Sequence, residues 1–337
     1  MSPRSRTVAA LALLLAAAVS APAVVSAYLT LGTTINGRTV MTRWTAMPIN
    51  YYVTNRSIAN VTAAQLQTVV AQSFATWAAV PTASLSTTFA GFTNAEPVRD
   101  DGATVIGFQR HDELDRTLGV TSFTLDRTTG ALVEADIFLN SIFDWSTAAG
   151  GEANKYDVQS IVTHEEGHLL GLGHSLLGET ELRPTGGRRV LGKRAVMFPI
   201  AFAAGTVLDR TLQDDDIAGI SITYPTAQFL RDKGSVSGRV TLDGAGVFGA
   251  HVVAFNPQTQ EMVGGFSLNT NGQFVIDGLT PGIYVLRAEP LDDADVTSFF
   301  DSSTTVDIGF KASFSPTLVT VPHGGSGNAV EIKVTRK

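Results

Sequence analysis

The sequence predicts an α+β protein in two units: a twisted mixed sheet with three helices over residues 28–225, and a small all-β sandwich over 235–337. Three observations lead there. The first unit interleaves strand-like alternation with helical periodicity, whereas the second holds only short β runs broken by turn dipeptides. A chain of 337 residues also exceeds what one core normally organises, and 44% hydrophobic content is enough for two.

At the N-terminus Arg4 and Arg6 precede an apolar run from Val8 to Val19, and Val25-Ser26-Ala27 has the small-x-small form of a signal-peptidase site. Residues 1–27 are therefore read as a signal peptide, with a secreted mature chain starting near Tyr28 and no stable membrane association after cleavage. An uncleaved anchor is the competing reading, against which Pro22 and the cleavage site weigh. The chain contains no cysteine, which excludes disulfide staples and thiol chemistry.

From Trp44 to Thr54 the residues alternate like a strand, and Thr62-Ala63-Ala64-Gln65 reads as a capping box opening a helix. Leu66, Val70, Phe74 and Trp77 give that helix a buried face, and Pro81 follows it. Strands are expected at Ser84–Phe89, Thr104–Phe108, Leu118–Leu125 and Ala131–Leu139, the last two joined across Asp126–Gly130. A second helix is expected from Asp157 to Leu170, stopped by Gly171, which takes the left-handed conformation that ends helices. A third begins near Gln213, where Asp214, Asp215 and Asp216 suit the positive end of its dipole, and it ends before Pro225. Residues 226–234 read as a linker. Beyond Ser235 the runs SGRVTL, AHVVAF, GQFVIDGL and GIYVLRAE are punctuated by Asp243-Gly244, Asn271-Gly272 and Pro281-Gly282. The stretch Leu291–Ser315 yields no assignment.

A net charge of -7 leaves no overall basic field, so nucleic acid is excluded as a partner. The chemistry concentrates in residues 164–174, HEEGHLLGLGH. His164 and His168 are four apart and share one helix face, and the break at Gly171 lets the chain turn so that His174 reaches the same point. Three nitrogen ligands leave a fourth position for water, the arrangement of a catalytic zinc site. Glu165 directly follows the first ligand and can act as general base on that water without capping the metal. Glu166 points elsewhere and reads as a solvated carboxylate, or one lying behind the ligands, with no chemical role. His111, His251 and His323 stand alone.

These residues resemble the metzincins, and within them the matrixins. AVMFP at 195–199 is similar to the family's methionine turn, with Met197 beneath the metal; FATWAAVPTASLSTTF, GALVEADIFLN and LQDDDIAGISITYP resemble its first helix, a sheet strand and its C-terminal helix. The resemblance implies a zinc endopeptidase acting on polypeptides, with one catalytic Zn2+ on His164, His168 and His174. It also implies that the Leu118–Leu125 strand forms the rim against which an extended substrate pairs. Asp-rich loops leave room for Ca2+ without nameable ligands. The sequence departs from the family in three ways: no cysteine-bearing propeptide, no histidine-rich segment for a second zinc, and a long stretch between His174 and Met197. That stretch would place Arg183, Arg188, Arg189, Lys193 and Arg194 near the cleft and favour acidic residues in the substrate.

The C-terminal unit resembles carboxypeptidase-regulatory-like, transthyretin-type sandwiches through GRVTLDGAGVFGAHVVAF and TNGQFVIDGLTPGIYVLRA. Because every ligand and the base precede it, it is expected to be dispensable for the chemistry. The alternative for the whole chain is an adhesin or binding protein carrying an inactive protease-like domain, against which the intact base and ligand set argues.

Overall fold

A computed structural model describes residues 6–11, 30–35, 38–184 and 186–337. Most of the expected signal peptide lies outside these residues; Arg6–Leu11 is described, as a strand antiparallel to the outer edge of Gly119–Asp126. Among the described residues no helix is long and apolar enough to cross a membrane.

The sheet of the first unit continues from Gly119–Asp126 through Leu132–Asn140, Thr104–Gln109 and Ile49–Thr54 to Thr87–Thr93. The Gly119–Asp126 and Leu132–Asn140 pair is antiparallel and the others are parallel. Gly130, at φ 75°, closes the turn between the antiparallel pair, its N–H donating to the Asp126 carbonyl at 2.7 Å.

Helix α1 (Ala63–Ala78) opens with the capping box read from the sequence: the Thr62 hydroxyl accepts the Gln65 N–H, and the Gln65 side chain accepts the Thr62 N–H. Its face of Leu66, Val70, Phe74 and Trp77 is buried under the sheet, each side chain stabilising the fold by about 1.5–3 kcal/mol. The Trp77 indole N–H donates to the Thr163 carbonyl at 3.0 Å and so locks α1 onto α2 (Val158–Leu169).

Helix α3 (Asp214–Thr223) uses two of its three leading aspartates for different tasks. Asp216 closes the cap on the Gln213 N–H, while Asp215 is buried and receives the Gly264 N–H from the C-terminal unit at 2.8 Å. Residues 226–234, read as a linker, contain a further helix, α4 (Ala227–Asp232), whose cap Thr226 accepts the Phe229 N–H and whose Phe229 is buried.

The C-terminal unit holds two five-stranded sheets that share one apolar core. Val236, Phe274 and Ile332 enter it from one sheet, and Val252, Val263 and Leu286 from the other.

The long stretch after His174 forms a β-hairpin, Gly178–Leu182 against Arg188–Lys193, and its cations are largely committed. Arg188 Nη1 donates to the Thr180 hydroxyl and to the Asp292 carbonyl at 2.8 Å, Arg189 pairs with Glu181, and Lys193 pairs with Asp209 at 2.7 Å in a nearly buried contact. Of the five basic residues expected near the cleft, Arg188, Arg189 and Lys193 are thus held in contacts within the fold. Only Arg183 and Arg194 stay exposed with no ion pair among the described residues.

Candidate metal centre

Helix α2 starts where Asp157 accepts the Ser160 N–H at 2.8 Å and forms a two-pronged ion pair with Arg210. It stops in a paired C-terminal turn. The Leu172 N–H donates to the Gly167 carbonyl and the Gly171 N–H to the His168 carbonyl, both at 2.9 Å, with Gly171 at φ 95°. A side chain at Gly171 would also meet the Thr42 carbonyl at 2.3 Å, so the residue that redirects the chain must be glycine.

The turn brings His174 to the two helix histidines. His168 Nε2 lies 3.2 Å from both His164 Nε2 and His174 Nε2. In each ring Nδ1 donates to a main-chain carbonyl: Val196 for His164 (2.8 Å), Leu172 for His168 (2.8 Å) and Ser298 for His174 (2.6 Å). A carbonyl can only accept, so every Nδ1 carries the proton and every Nε2 presents a lone pair to the same point. Lone pairs at that separation repel unless a cation sits among them. Nitrogens about 2.0–2.1 Å from a tetrahedral zinc stand roughly 3.3 Å apart, which both spacings from His168 fit, and the three ligand nitrogens all lie within 4.8 Å of one another. Burial holds all three imidazoles neutral, pushing His168 down to about 3 and His174 to about 4, and neutral imidazole is the ligating form.

Glu165 is buried beside this cluster, and the Thr121 hydroxyl lies 2.7 Å from its Oε2. Burial raises its carboxyl to about 8 and Thr121 pulls the other way. A divalent cation at the histidines would favour the carboxylate further, which is the form a base requires. Thr121 was not among the residues the sequence singled out, since its strand is buried on both faces and nothing in the pattern marks one position.

Met197 is fully buried against the helix at Gly167: a Cβ on that glycine would meet Met197 Sδ at 2.2 Å. The turn that carries Met197 is pinned by Asp216, which accepts the Val196 and Met197 N–H groups at 2.8 and 3.1 Å. The turn in turn offers the Val196 carbonyl to His164, so α3, the turn and the first histidine form one hydrogen-bonded chain. Glu166 departs from the solvated alternative of its reading. It is fully buried, neither oxygen has a hydrogen-bond partner among the described residues, and burial drives its carboxyl well above the usual range. The carbonyls of Leu172, Val196 and Ser298 had no sequence signal, because backbone acceptors look alike in every residue type.

Residues 43–187 match the sequence profile of the matrixin family, so this part of the chain is a matrixin-like domain. Metalloendoproteinase 2-MMP of Arabidopsis thaliana is 32% identical over 102 residues, 26% of this chain and 22% of that protein. The match thus spans about a fifth of the length of that relative. Two solved structures give weak likenesses. The Bacillus anthracis TIE protein is 16% identical with a TM-score of 0.21 over 31% of this chain and 17% of its own. GBS52, the minor pilin of Streptococcus agalactiae, is 14% identical with a TM-score of 0.22 over 32% and 45%. Neither reaches the level at which a shared fold could be argued.

Proposed function

We propose that the protein is a secreted zinc-dependent endopeptidase of metzincin type, with one zinc ion on His164, His168 and His174, and Glu165 as general base. The observation that carries the reading is the convergence of three Nε2 lone pairs, each fixed by a carbonyl behind the ring, beside a buried carboxylate. Bound there, zinc supplies Lewis acidity, polarising the scissile carbonyl and lowering the pKa of water to about 7. Glu165 takes the proton of the attacking water and returns it to the departing amine, and Thr121 keeps the carboxylate aimed during both transfers. Gly119–Asp126 pairs with Leu132–Asn140 on one side and with Arg6–Leu11 on the other, and removal of the signal peptide would leave that second side an edge to which an extended polypeptide can add antiparallel. Main-chain pairing of that kind accepts internal stretches of a polypeptide, which favours cleavage within chains. Secretion rests on the N-terminal apolar run and its small-x-small site. The C-terminal unit is read as a transthyretin-type sandwich from its two sheets around one core.

The test is Glu165→Ala in purified mature protein. It should keep one zinc per chain by elemental analysis and lose between about a hundredfold and ten-thousandfold of its turnover on casein. His168→Ala should lose the metal. Wild-type turnover in zinc-loaded Glu165→Ala would overturn the assignment, and an inactive, zinc-free parent would favour the binding-protein reading.

A further inference from the structure

The third histidine differs from the other two in where its support comes from. His164 and His168 are held by carbonyls of the first unit, whereas His174 is held by Ser298, which lies 124 residues further along the chain in the C-terminal unit. The matrixin match covers residues 43–187, and Ser298 lies outside it. Ser298 closes the short helical turn Val296–Ser298 inside the segment that the sequence left unassigned. The next residue, Phe299, sets its ring edge-on to His174, with centroids 6.2 Å apart, and packs against Phe266 at 5.7 Å. Phe299 is half-buried, with one side toward the third histidine and the other in an apolar cluster with Leu176, Phe266 and Leu291.

The segment is anchored at its start as well. Asp293 Oδ1 accepts the Thr180 N–H at 2.8 Å, and the Asp293 carbonyl accepts the Thr180 hydroxyl at 2.6 Å. Arg188 joins the same point through the Asp292 carbonyl. The hairpin inserted after His174 and the 292–300 segment thus clasp each other, and the clasp leads directly to the metal site.

We infer that the 292–300 segment of the C-terminal unit is a positioning element of the metal centre, fixing the ring of His174 through Ser298 and walling that side of the site with Phe299. The inference rests on the zinc reading above. It replaces the expectation that residues beyond Ser235 are dispensable. A ligand whose second nitrogen loses its acceptor is free to rotate and to change tautomer, and such partners are typically worth about ten- to a hundredfold in metal affinity or activity. Ser298 and Phe299 are positioning residues, since the inference gives them no contact with the reacting atoms.

The experiment uses the full chain with residues 292–300 replaced by a short Gly-Ser turn, alongside Asp293→Ala with Phe299→Ala, and Asp293→Asn, which keeps the acceptor for Thr180. Zinc affinity is measured by chelator competition, the cobalt-substituted proteins are compared by their visible absorption, and near-ultraviolet dichroism reports folding. The replacement should weaken zinc about ten- to a hundredfold and alter the cobalt band, the double variant should move both at least about threefold in the same direction, and Asp293→Asn should match the parent. If the replacement does not fold, the double variant alone decides. Parent zinc affinity and an unchanged cobalt spectrum in a folded variant would overturn the inference while leaving the zinc assignment standing. A parent chain that binds no zinc would instead overturn the assignment itself.

Discussion

Gly167 sets two opposing effects against each other, and their magnitudes fix the outcome. It lies within α2 between the two helix histidines, where alanine would by helix propensity alone stabilise the protein by about 1 kcal/mol. Its added Cβ, however, would stand 2.2 Å from Met197 Sδ and 3.1 Å from Trp77 Cζ2. Both side chains are fully buried, so relief requires Met197 to retreat by more than about 1 Å into packed surroundings. Overpacking of that kind costs about 1–3 kcal/mol, and this intrusion belongs at the upper end because sulfur and indole close the space together. Gly167→Ala should therefore destabilise the protein by about 1–2 kcal/mol net. It should also weaken zinc, since displacing Met197 moves the Val196 carbonyl that holds His164. Denaturant unfolding of parent, Gly167→Ala, Met197→Ala and the double variant, each with and without zinc, reads the coupling. The double variant should be more stable than the sum of the singles implies, by about 0.5–3 kcal/mol, because truncating the methionine removes the clash. A Gly167→Ala protein as stable as the parent, or additive behaviour in the cycle, would refute the reasoning.

Other consequences follow from the same geometry. Glu166→Leu should raise stability, because an unpartnered buried carboxyl is replaced by an apolar group of similar size. Its folded-state pKa is raised, so the parent suffers little below about 4.5 and progressively more as pH rises through the raised value. The advantage of Glu166→Leu should accordingly grow from pH 5 to pH 8, and a loss of stability at pH 8 would contradict the burial argument. Arg188→Ala with Arg189→Ala should leave the ratio of rates on matched Glu and Gln peptides unchanged, since Arg188 serves the Asp292 clasp and Arg189 pairs with Glu181. A ratio that drops in that variant would return those charges to the cleft. Asp157→Ala should cost about 3–5 kcal/mol in thermal unfolding, because it removes the α2 cap and strands Arg210 half-buried without its carboxylate. A cost below about 1 kcal/mol would mean that the pair is idle.

The elements that could be read from sequence are those governed by neighbours along the chain. The α1 capping box spans four residues, the α2 stop depends on one glycine, and the strands Gly119–Asp126 and Leu132–Asn140 lie on either side of a short local turn. The histidine spacing belongs to the same class, because a helix of 3.6 residues per turn decides by itself that His164 and His168 share a face. What could not be read were properties set by residues far apart. Glu166 carries no mark of burial in its identity, and Arg188 and Lys193 of the 178–193 hairpin acquired partners only when the chain folded back on Asp292 and Asp209. The segment around Val296–Ser298 has no periodicity to betray it, since its part in the site depends on one carbonyl and on docking. The sequence by itself determined that His164, Glu165 and His168 lie within little more than one turn of one helix, as local spacing is enough for that. Only the tertiary structure decided that the third imidazole is held from the C-terminal unit, because a main-chain acceptor acquires its role from position alone.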